Sequence, residues 1–559
     1  MSVKYKEHGE RQDEMFRKYN FFGTQPGTFN SNKYFDVHPP VFWVSAILAI
    51  VFVAVTMYVG DERMSSIFNT LQTSISDAAG WFFVITVNFF AIVILIIGFS
   101  KFGNLRLGGS HAKPEFTTWS WFSMLFSAGM GIGLIFYSVS EPMLHYSNPP
   151  LKDTPVGADS AEMGMNFTFL HWGLHAWAIY ALVGLALAFF CYNRKLPLSI
   201  RGLFYPLFGG KVYGLWGDLI DILAVLATLF GLATSLGIGV QQINAGLGYL
   251  FGVDGGLKIL EDSTIMQPGI LVEIILIIGI TLIATISIIT GIDKGIKFLS
   301  QQNIRIGAVL LLFIIIVGPT IFIFNSFVQN TGGYLFELLK MGFWMESYQQ
   351  GDTKWQNEWT LFYWSWWIAW SPFVGTFIAR VSRGRTIREF VFGVLLVPTI
   401  ITFFWLSAFG GSALFEELFG AGGIADVANE DIAMSLFVLL DRFPLSLITS
   451  GLAVILVVNF FVTSSDSGSL VVDRLTSGGK IDAPVGQRVF WAGTEGAIAA
   501  VLLYVGGLSA LQTAVITAGL PFAIILIFMC YSLYRGLQTE YAEEQERQRR
   551  KQLDTLSDD

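Results

Sequence analysis

Residues 359–375 read Trp-Thr-Leu-Phe-Tyr-Trp-Ser-Trp-Trp-Ile-Ala-Trp-Ser-Pro-Phe-Val-Gly, inside an apolar segment long enough to cross a bilayer. On a helix Trp366, Trp370 and Phe373 stand at i, i+4 and i+7 and share one face, which Trp367, about 100° round, widens into a wall. Desolvated ring faces attract a cation that has no hydrogen to donate, at about 0.5–2 kcal/mol per ring, and quaternary ammonium groups are held in this way. Tryptophan at headgroup depth is instead an interfacial anchor. That reading fits Trp359 and Trp364 at the start of the segment better than Trp366, Trp367 and Trp370 near its midpoint. Plain helix packing is the remaining alternative.

Three further groups could do chemistry. Trp172, Trp177 and Tyr180 form a second aromatic set in the stretch 166–192, with Trp177 and Tyr180 on a shared face. His171 and His175 beside them have the i, i+4 spacing of metal ligands, but no acid or Cys accompanies them within the stretch, which argues against a metal site. Gly129-Met130-Gly131-Ile132-Gly133 falls inside another apolar stretch. Each glycine there costs a helix about 1 kcal/mol, and unwound backbone at membrane depth is tolerated only in packed protein or along a cavity. Close helix packing through Gly129 and Gly133 is the rival reading. Finally, Thr463 and Ser464 follow Phe460 and precede Ser465, Asp466, Ser467 and Ser469. Hydroxyls beside an interrupted backbone are hard oxygen ligands suited to Na⁺, unless they bond back to carbonyls of their own helix. Asp466 reads as a structural or gating acid.

The elements that must position these groups follow from composition. The chain has 559 residues, 53% hydrophobic and 14% charged, with a mean hydropathy of +0.58. Charge is thereby confined to loops and ends, and the fold class is an all-α polytopic membrane protein. The net charge of −8 with no basic stripe leaves no footprint for nucleic acid. No cluster of acids or histidines at one depth points to an enzyme. Cys191 and Cys530 stand alone in separate apolar stretches, which excludes a disulfide framework. Residues 1–40 are polar and aperiodic, predicting a mostly disordered cytoplasmic tail and no cleaved signal peptide.

Twelve apolar stretches follow, at 41–60, 80–100, 121–139, 166–192, 218–251, 268–290, 303–326, 359–380, 389–411, 447–465, 488–506 and 510–534. Residues 334–348 are amphipathic, too short to cross, and expected at the outer surface. Lys and Arg gather in alternate loops, among them Lys101, Arg106, Arg194, Arg380, Arg383 and Arg474, which places those loops and both termini in the cytoplasm. Aligning residues 127–140 with 369–382 superposes Gly133 on Gly375, Val139 on Val381 and Ser140 on Ser382, a faint internal repeat. Both segments are interrupted, by glycine in the first and by Ser371-Pro372 and Gly375 in the second, and each opens a set of five spans. Odd-numbered sets insert with opposite topology, and paired interrupted helices in inverted halves point to a transport site at the midplane. The expected organisation is a tail at 1–40 and two accessory helices in 41–120. A first five-helix set follows in 121–330, an outer helix and loop in 331–358, a second set in 359–535, and a C-terminal tail at 536–559 that reads as a solvated helix.

At this point the chain resembles the betaine/choline/carnitine transporter family, and most of all its sodium-coupled glycine betaine transporters. The likeness rests on Trp-Thr-Leu-Phe-Tyr-Trp-Ser-Trp-Trp at 359–367, the glycine loop, and His-Trp-Gly-Leu-His-Ala-Trp-Ala-Ile-Tyr at 171–180. It extends to Arg-Val-Ser-Arg-Gly-Arg-Thr-Ile-Arg-Glu-Phe at 380–390 and Thr-Ser-Ser-Asp-Ser at 463–467. The resemblance implies a LeuT-like inverted repeat of five plus five helices preceded by two extra helices, a homotrimer, and a bacterial inner membrane location. It implies a substrate cage of Trp172, Trp177, Tyr180, Trp366, Trp367 and Trp370, which Phe373 on the same stripe extends; the substrate carboxylate is expected at the glycine loop (Gly129, Met130, Gly131, Gly133), where a broken helix offers positive partial charge. It also implies a sodium site of the Ser127, Met130 and Phe460 carbonyls with the Thr463 and Ser464 hydroxyls. Choline carriers of the family tend to have Asp where this chain has Gly133, which favours a zwitterion that brings its own carboxylate. Leu232 stands where two-sodium members tend to have a second hydroxyl, although Thr234 is near. The expected activity is sodium-coupled uptake by alternating access; a proton-coupled carrier and a sodium-independent substrate/product exchanger are the alternatives.

Overall fold

The computed structural model describes residues 35–129, 131–151, 154–253, 269–290, 293–349, 355–480 and 484–558. Apart from one isolated bridge between Arg106 and Thr386, the described residues contain no strand. Within the hydrocarbon region a backbone satisfies its own N–H and C=O groups most simply as helix, and the long apolar runs do so. In chain order the main helices are α1 (Pro39–Val59), α2 (Asp61–Phe99), α3 (Thr118–Gly129), α4 (Ile132–Ser147), α5 (Ala158–Trp172), α6 (Leu174–Tyr192) and α7 (Leu215–Phe251). They continue as α8 (Ile270–Thr290), α9 (Asp293–Val317), α10 (Thr320–Gly342), α11 (Thr360–Val381), α12 (Ile387–Phe419), α13 (Ser446–Thr476) and α14 (Val485–Asp558).

Local sequence sets most boundaries. Pro39 and Pro40 open α1, where a missing N–H costs nothing. Thr386 and Glu389 cap α12 reciprocally: the Thr386 hydroxyl accepts from Glu389 N–H at 3.2 Å and the Glu389 carboxylate accepts from Thr386 N–H at 2.9 Å. Gly318 and Pro319 separate α9 from α10. In α14 Gly507, at φ 57°, supplies the positive-φ kink that divides one long run into two limbs.

α6, α7 and α11 form the buried centre. α11 packs on α6, α7 and α14; α7 packs on α13 and α14; α14 packs on α2. α8 turns Ile275, Ile278, Leu282, Ile286 and Ile289 outward, as a lipid-facing helix does. Among the described residues, α1, α2, α7, α8, α9, α12, α13, α14 and the α5–α6 pair are long and apolar enough to cross a membrane.

Several expected spans are redrawn. The stretch 121–139 is two helices broken around Gly131, as alternating glycine predicts. The stretch 166–192 is also broken, at Gly173, and its helical part begins earlier, at Ala158. The seventh expected span ends at Val317 rather than 326. The amphipathic segment is then a full 23-residue helix that starts at Thr320, because the Gly-Pro pair ends one helix and frees the next. In the eighth, the expected interruption at Ser371-Pro372 does not occur: α11 is continuous. Pro372 cannot donate to the carbonyl of Ile368, and Ser371 Oγ donates to it instead at 2.8 Å. The tenth is likewise unbroken through Thr463–Ser469 and runs on to Thr476.

Residues 1–34 of the expected N-terminal tail lie outside the described residues, but its last part is packed rather than loose. His38 donates its backbone N–H to Thr476 O at 2.8 Å. Its ring meets Asp218 at 2.6 Å, and Asp36 pairs with Lys480. Asp218 in turn meets Arg201, which also holds Asp221. Buried charges persist only when paired, and this set ties the start of α1 to α7 and to the end of α13. The C-terminal tail is a helical continuation of α14, and it is docked: Glu540 and Glu543 both pair with Arg194.

Candidate functional site

The face-sharing pattern of residues 366–373 survives in α11. Trp366 and Trp370 stack at 6.2 Å between ring centroids, and Trp370 meets Phe373 at 5.6 Å. Trp367 lies almost parallel to Trp366, 4.8 Å away. The break at Gly173 turns α6 so that the second aromatic set meets the first: Trp172 sits 5.0 Å from Trp367, Tyr180 6.1 Å from Trp367, and Trp177 5.5 Å from Tyr180. Indole nitrogens fix the tilt of the rings. Trp367 Nε1 donates to His171 O at 2.8 Å and Trp366 Nε1 to Gly231 O at 3.3 Å. Trp370 Nε1 and Tyr180 Oη have no hydrogen-bond partner among the described residues.

The glycine loop closes against these rings. Gly131 lies under Trp370, where an added Cβ would stand 3.5 Å from the ring. Gly133 is tighter: a Cβ there would come within 2.6 Å of the Trp366 ring and 3.1 Å of Trp172. Only a residue without a side chain lets α4 approach the indoles so closely.

One buried carboxylate organises the set. Glu141, on α4, accepts from Trp172 Nε1 at 2.8 Å and from the Tyr363 hydroxyl through Oε2. Its Oε1 meets His171 Nδ1 at 2.6 Å and His145 Nε2 at 3.4 Å, while His171 Nε2 reaches Thr360 Oγ1 at 3.0 Å. Three elements (α4, the α5 end and α11) are thereby locked by one acid, and through Trp172 and Tyr363 it sets the rings that touch Trp366 and Trp367. The ligand atoms of Glu141, His145 and His171 lie within 4.8 Å of one another. At 2.6 Å, however, Glu141 and His171 bond directly, and the other carboxylate oxygen is taken by two donors, so the arrangement is a hydrogen-bond network.

Two cavities flank the rings. One, of about 190 Å³, is lined by Gly131, Trp370, Phe373, Phe460, Thr463 and Ser464, and extends along α11 and α13 to Arg380 and Arg474. The other, of about 510 Å³, touches Tyr137, Trp359, Glu358, Gln72 and Gln512. Burial, and then the neighbouring charge of Glu346, pushes the Glu358 carboxyl above the ordinary range. Between the cavities Tyr137 bridges Trp359 at 6.1 Å and Trp366 at 6.3 Å. The aromatic cluster is therefore a septum with a cavity on each side.

Sequence comparison identifies the family to which this aromatic septum belongs. The model of the betaine/carnitine/choline family transporters matches residues 40–542. This chain is a member of that family. It is 44% identical over 537 residues to a glycine betaine/proline/choline/ectoine transporter of Vibrio parahaemolyticus, covering 94% of this chain and 92% of the relative. A glycine betaine transporter of Acinetobacter baylyi is 41% identical, with 92% of this chain and 76% of the relative covered. A probable glycine betaine transporter of Desulfitobacterium hafniense is 40% identical, with 90% and 98% covered. The family is one of membrane transporters, not of enzymes.

In this betaine/carnitine/choline family member, Trp172, Trp177, Tyr180, Trp366, Trp367, Trp370 and Phe373 form one contiguous cluster, with Gly131 and Gly133 against it. The cavity on the Arg380 side reaches only Trp370 and Phe373 of the seven. Met130 lies outside the described residues, and Ser127 and Gly129 are placed only as backbone near the end of α3. Phe460, Thr463 and Ser464 line the same cavity as Trp370. The expectation of a broken backbone beside Thr463 is corrected: within the continuous α13 its hydroxyl bonds back to Asn459 O at 2.9 Å and Phe460 O at 3.2 Å, and accepts from Asn303 at 3.4 Å. Where the resemblance raised a second hydroxyl, Thr234 donates to Phe230 O and Leu511 O, and Leu232 packs over Gly468.

The i, i+4 pairing of His171 and His175 does not bring them together; His175 Nε2 meets Asn88 at 3.0 Å while His171 faces Glu141. Reading within one stretch could not see that the acid comes from another helix. Glu141 was itself discernible as an acid continuing the glycine-loop stretch, and an ionisable residue inside a membrane segment is a functional candidate by default.

Proposed function

We propose that this chain is a sodium symporter that imports a zwitterionic methylated ammonium solute such as glycine betaine by alternating access. The observation that carries this reading is the cavity in which Trp370, Phe373 and Gly131 face Phe460, Thr463 and Ser464. A cation-attracting wall, exposed backbone and hard oxygens meet in one space. The substrates for which the relatives are named support the same class, because each of the three names above includes glycine betaine.

The fold of this proposal has twelve crossings in a LeuT-like inverted repeat. The broken α3–α4, the tryptophan-rich α11 and the two limbs of α14 supply the crossings that apolarity alone does not separate. The carrier sits as a homotrimer in the bacterial inner membrane with both termini in the cytoplasm, which makes the Arg380–Arg474 cavity the inner one. The substrate comes from outside between α3–α4, α5–α6 and α11, its methylated head meets Trp172, Trp177, Tyr180, Trp366, Trp367, Trp370 and Phe373, and it leaves past Trp370 as the packed tier opens inward. Its carboxylate faces the N-terminus of α4 at Gly131–Gly133, where helix N–H groups favour an anion. Trp370 Nε1 and Tyr180 Oη are further donors without partners among the described residues. Sodium is carried between the Ser127, Met130 and Phe460 carbonyls and the Thr463 and Ser464 hydroxyls, joining the two repeats. One inward charge adds about 2.3 kcal/mol per 100 mV, roughly a 50-fold accumulation before any sodium gradient.

Uptake of radiolabelled glycine betaine, proline betaine, ectoine, carnitine and choline into proteoliposomes, in sodium or in potassium, tests the proposal. Sodium-dependent uptake of a zwitterion above choline is expected. Uptake unchanged in potassium would replace it with proton coupling or exchange.

A further inference from the structure

Glu495 is wholly buried on α14, seven residues and about 10 Å along the helix from Arg488. Its Oε2 accepts a single hydrogen bond, from Ser465 Oγ on α13 at 3.3 Å. Its Oε1 has no hydrogen-bond partner among the described residues. From α13 the titratable group nearby is Asp466, whose carboxylate is held by Arg488 at 2.6 Å and by Ser287 at 3.3 Å. Arg488 is thus committed to Asp466. From α8 the polar group that approaches is Thr281; its hydroxyl has no partner among the described residues, and it would lie 2.8 Å from a Cβ on Gly496. On α7, Asp218 and Asp221 are engaged with Arg201 and His38. α2 and α11 meet the limb of α14 beyond Gly507, at Ser509 and Gly519. No cation among the described residues forms an ion pair with Glu495.

A carboxylate ion withdrawn from water with one hydroxyl donor pays several kcal/mol of desolvation. The neutral acid does not, and it gains a proton to offer through its second oxygen. We propose that Glu495 is a proton-binding site, separate from the hydroxyl-lined cavity, that releases its proton to water when α13 moves away from α14 and regains it when they close. The site lies on the helix that carries the cavity hydroxyls: Ser465 faces Glu495, and its chain neighbours Ser464 and Thr463 face the cavity. Proton occupancy therefore biases the position of α13, and transport becomes pH-dependent whichever ion drives it. This goes beyond the proposed symport and does not depend on which solute is carried.

The test is labelling of the wild-type protein in membranes with dicyclohexylcarbodiimide. A protonated carboxyl gives its proton to a carbodiimide nitrogen, its oxygen adds to the central carbon, and rearrangement leaves a stable N-acylurea that peptide mass mapping locates. Modification of Glu495 at neutral pH, falling as pH rises, is expected; Glu495 unmodified across the range overturns the proposal. In parallel, wild-type uptake is expected to fall above the titration midpoint toward the one-proton limit of about tenfold per pH unit, with Glu495→Gln flat to within about twofold. A Glu495→Gln profile that titrates like the wild type also overturns it. If the variant does not reach the membrane the labelling alone decides, and if no betaine is transported the labelling is still readable, so the two readings fail separately.

Discussion

Glu141 and Glu495 are both carboxylates sealed from solvent, yet their surroundings are opposite. Glu141 collects Trp172, Tyr363, His171 and His145 from several elements, and the aromatic cluster hangs from it. Glu495 has, among the described residues, one serine. The first region spends its polar capacity on holding rings still, which suits a recognition surface that must be in place before a ligand arrives. The second, on the α13 side, keeps capacity in reserve, which suits a helix whose contacts change. Burial alone does not say what an acid does; the number of donors around it does.

The largest effect that can break this contrast is on stability. Glu141→Ala orphans the Trp172 indole, the Tyr363 hydroxyl and His171, at roughly 1–3 kcal/mol for each buried group, and should lower the melting temperature of the purified protein sharply. Glu495→Gln should stay within about 1 kcal/mol of wild type. Equal melting temperatures would mean that donor count does not distinguish the two acids. On the recognition side, Trp370→Leu removes one ring worth up to about 2 kcal/mol, so betaine affinity should fall by as much as about 30-fold with expression intact. Unchanged affinity in a binding titration would detach the rings from the ligand.

Gly133 sharpens the same side. Gly133→Asp must displace the Trp366 ring, because the new Cβ would lie 2.6 Å from it. It is expected to weaken betaine uptake while its charge admits choline, and a substrate profile identical to wild type would show that the loop reads neither shape nor charge. On the α13 side, Thr463→Ala combined with Ser464→Ala should raise the sodium concentration needed for half-maximal uptake while leaving melting nearly unchanged, since among the described residues Thr463 otherwise bonds only to its own helix and to Asn303. An unaltered sodium response would remove the ion from this cavity.

Much of the site was readable from residue order, because its logic is local. The stripe Trp366, Trp370, Phe373 follows from helical period alone, and alternating glycine foretold the break between α3 and α4. Two local readings failed for an identifiable reason. Pro372 predicted an interruption of α11, but a neighbouring serine replaced the lost donor. The hydroxyl run at 463–469 predicted unwinding, but α13 continued and Thr463 bonded back to it.

The order of amino acids by itself determined the membrane class, the family, the faces on which aromatic and hydroxyl groups stand, and the glycine that lets α4 approach the indoles. All of these are fixed by spacing within a few turns of helix. Only the tertiary structure decided that Glu141 serves His171 and Trp172 from some thirty residues away, that Asp36 and His38 anchor rather than drift, and that Glu495 is left with one donor. Such matches depend on which helices become neighbours, and helical period carries no information about partners on other helices.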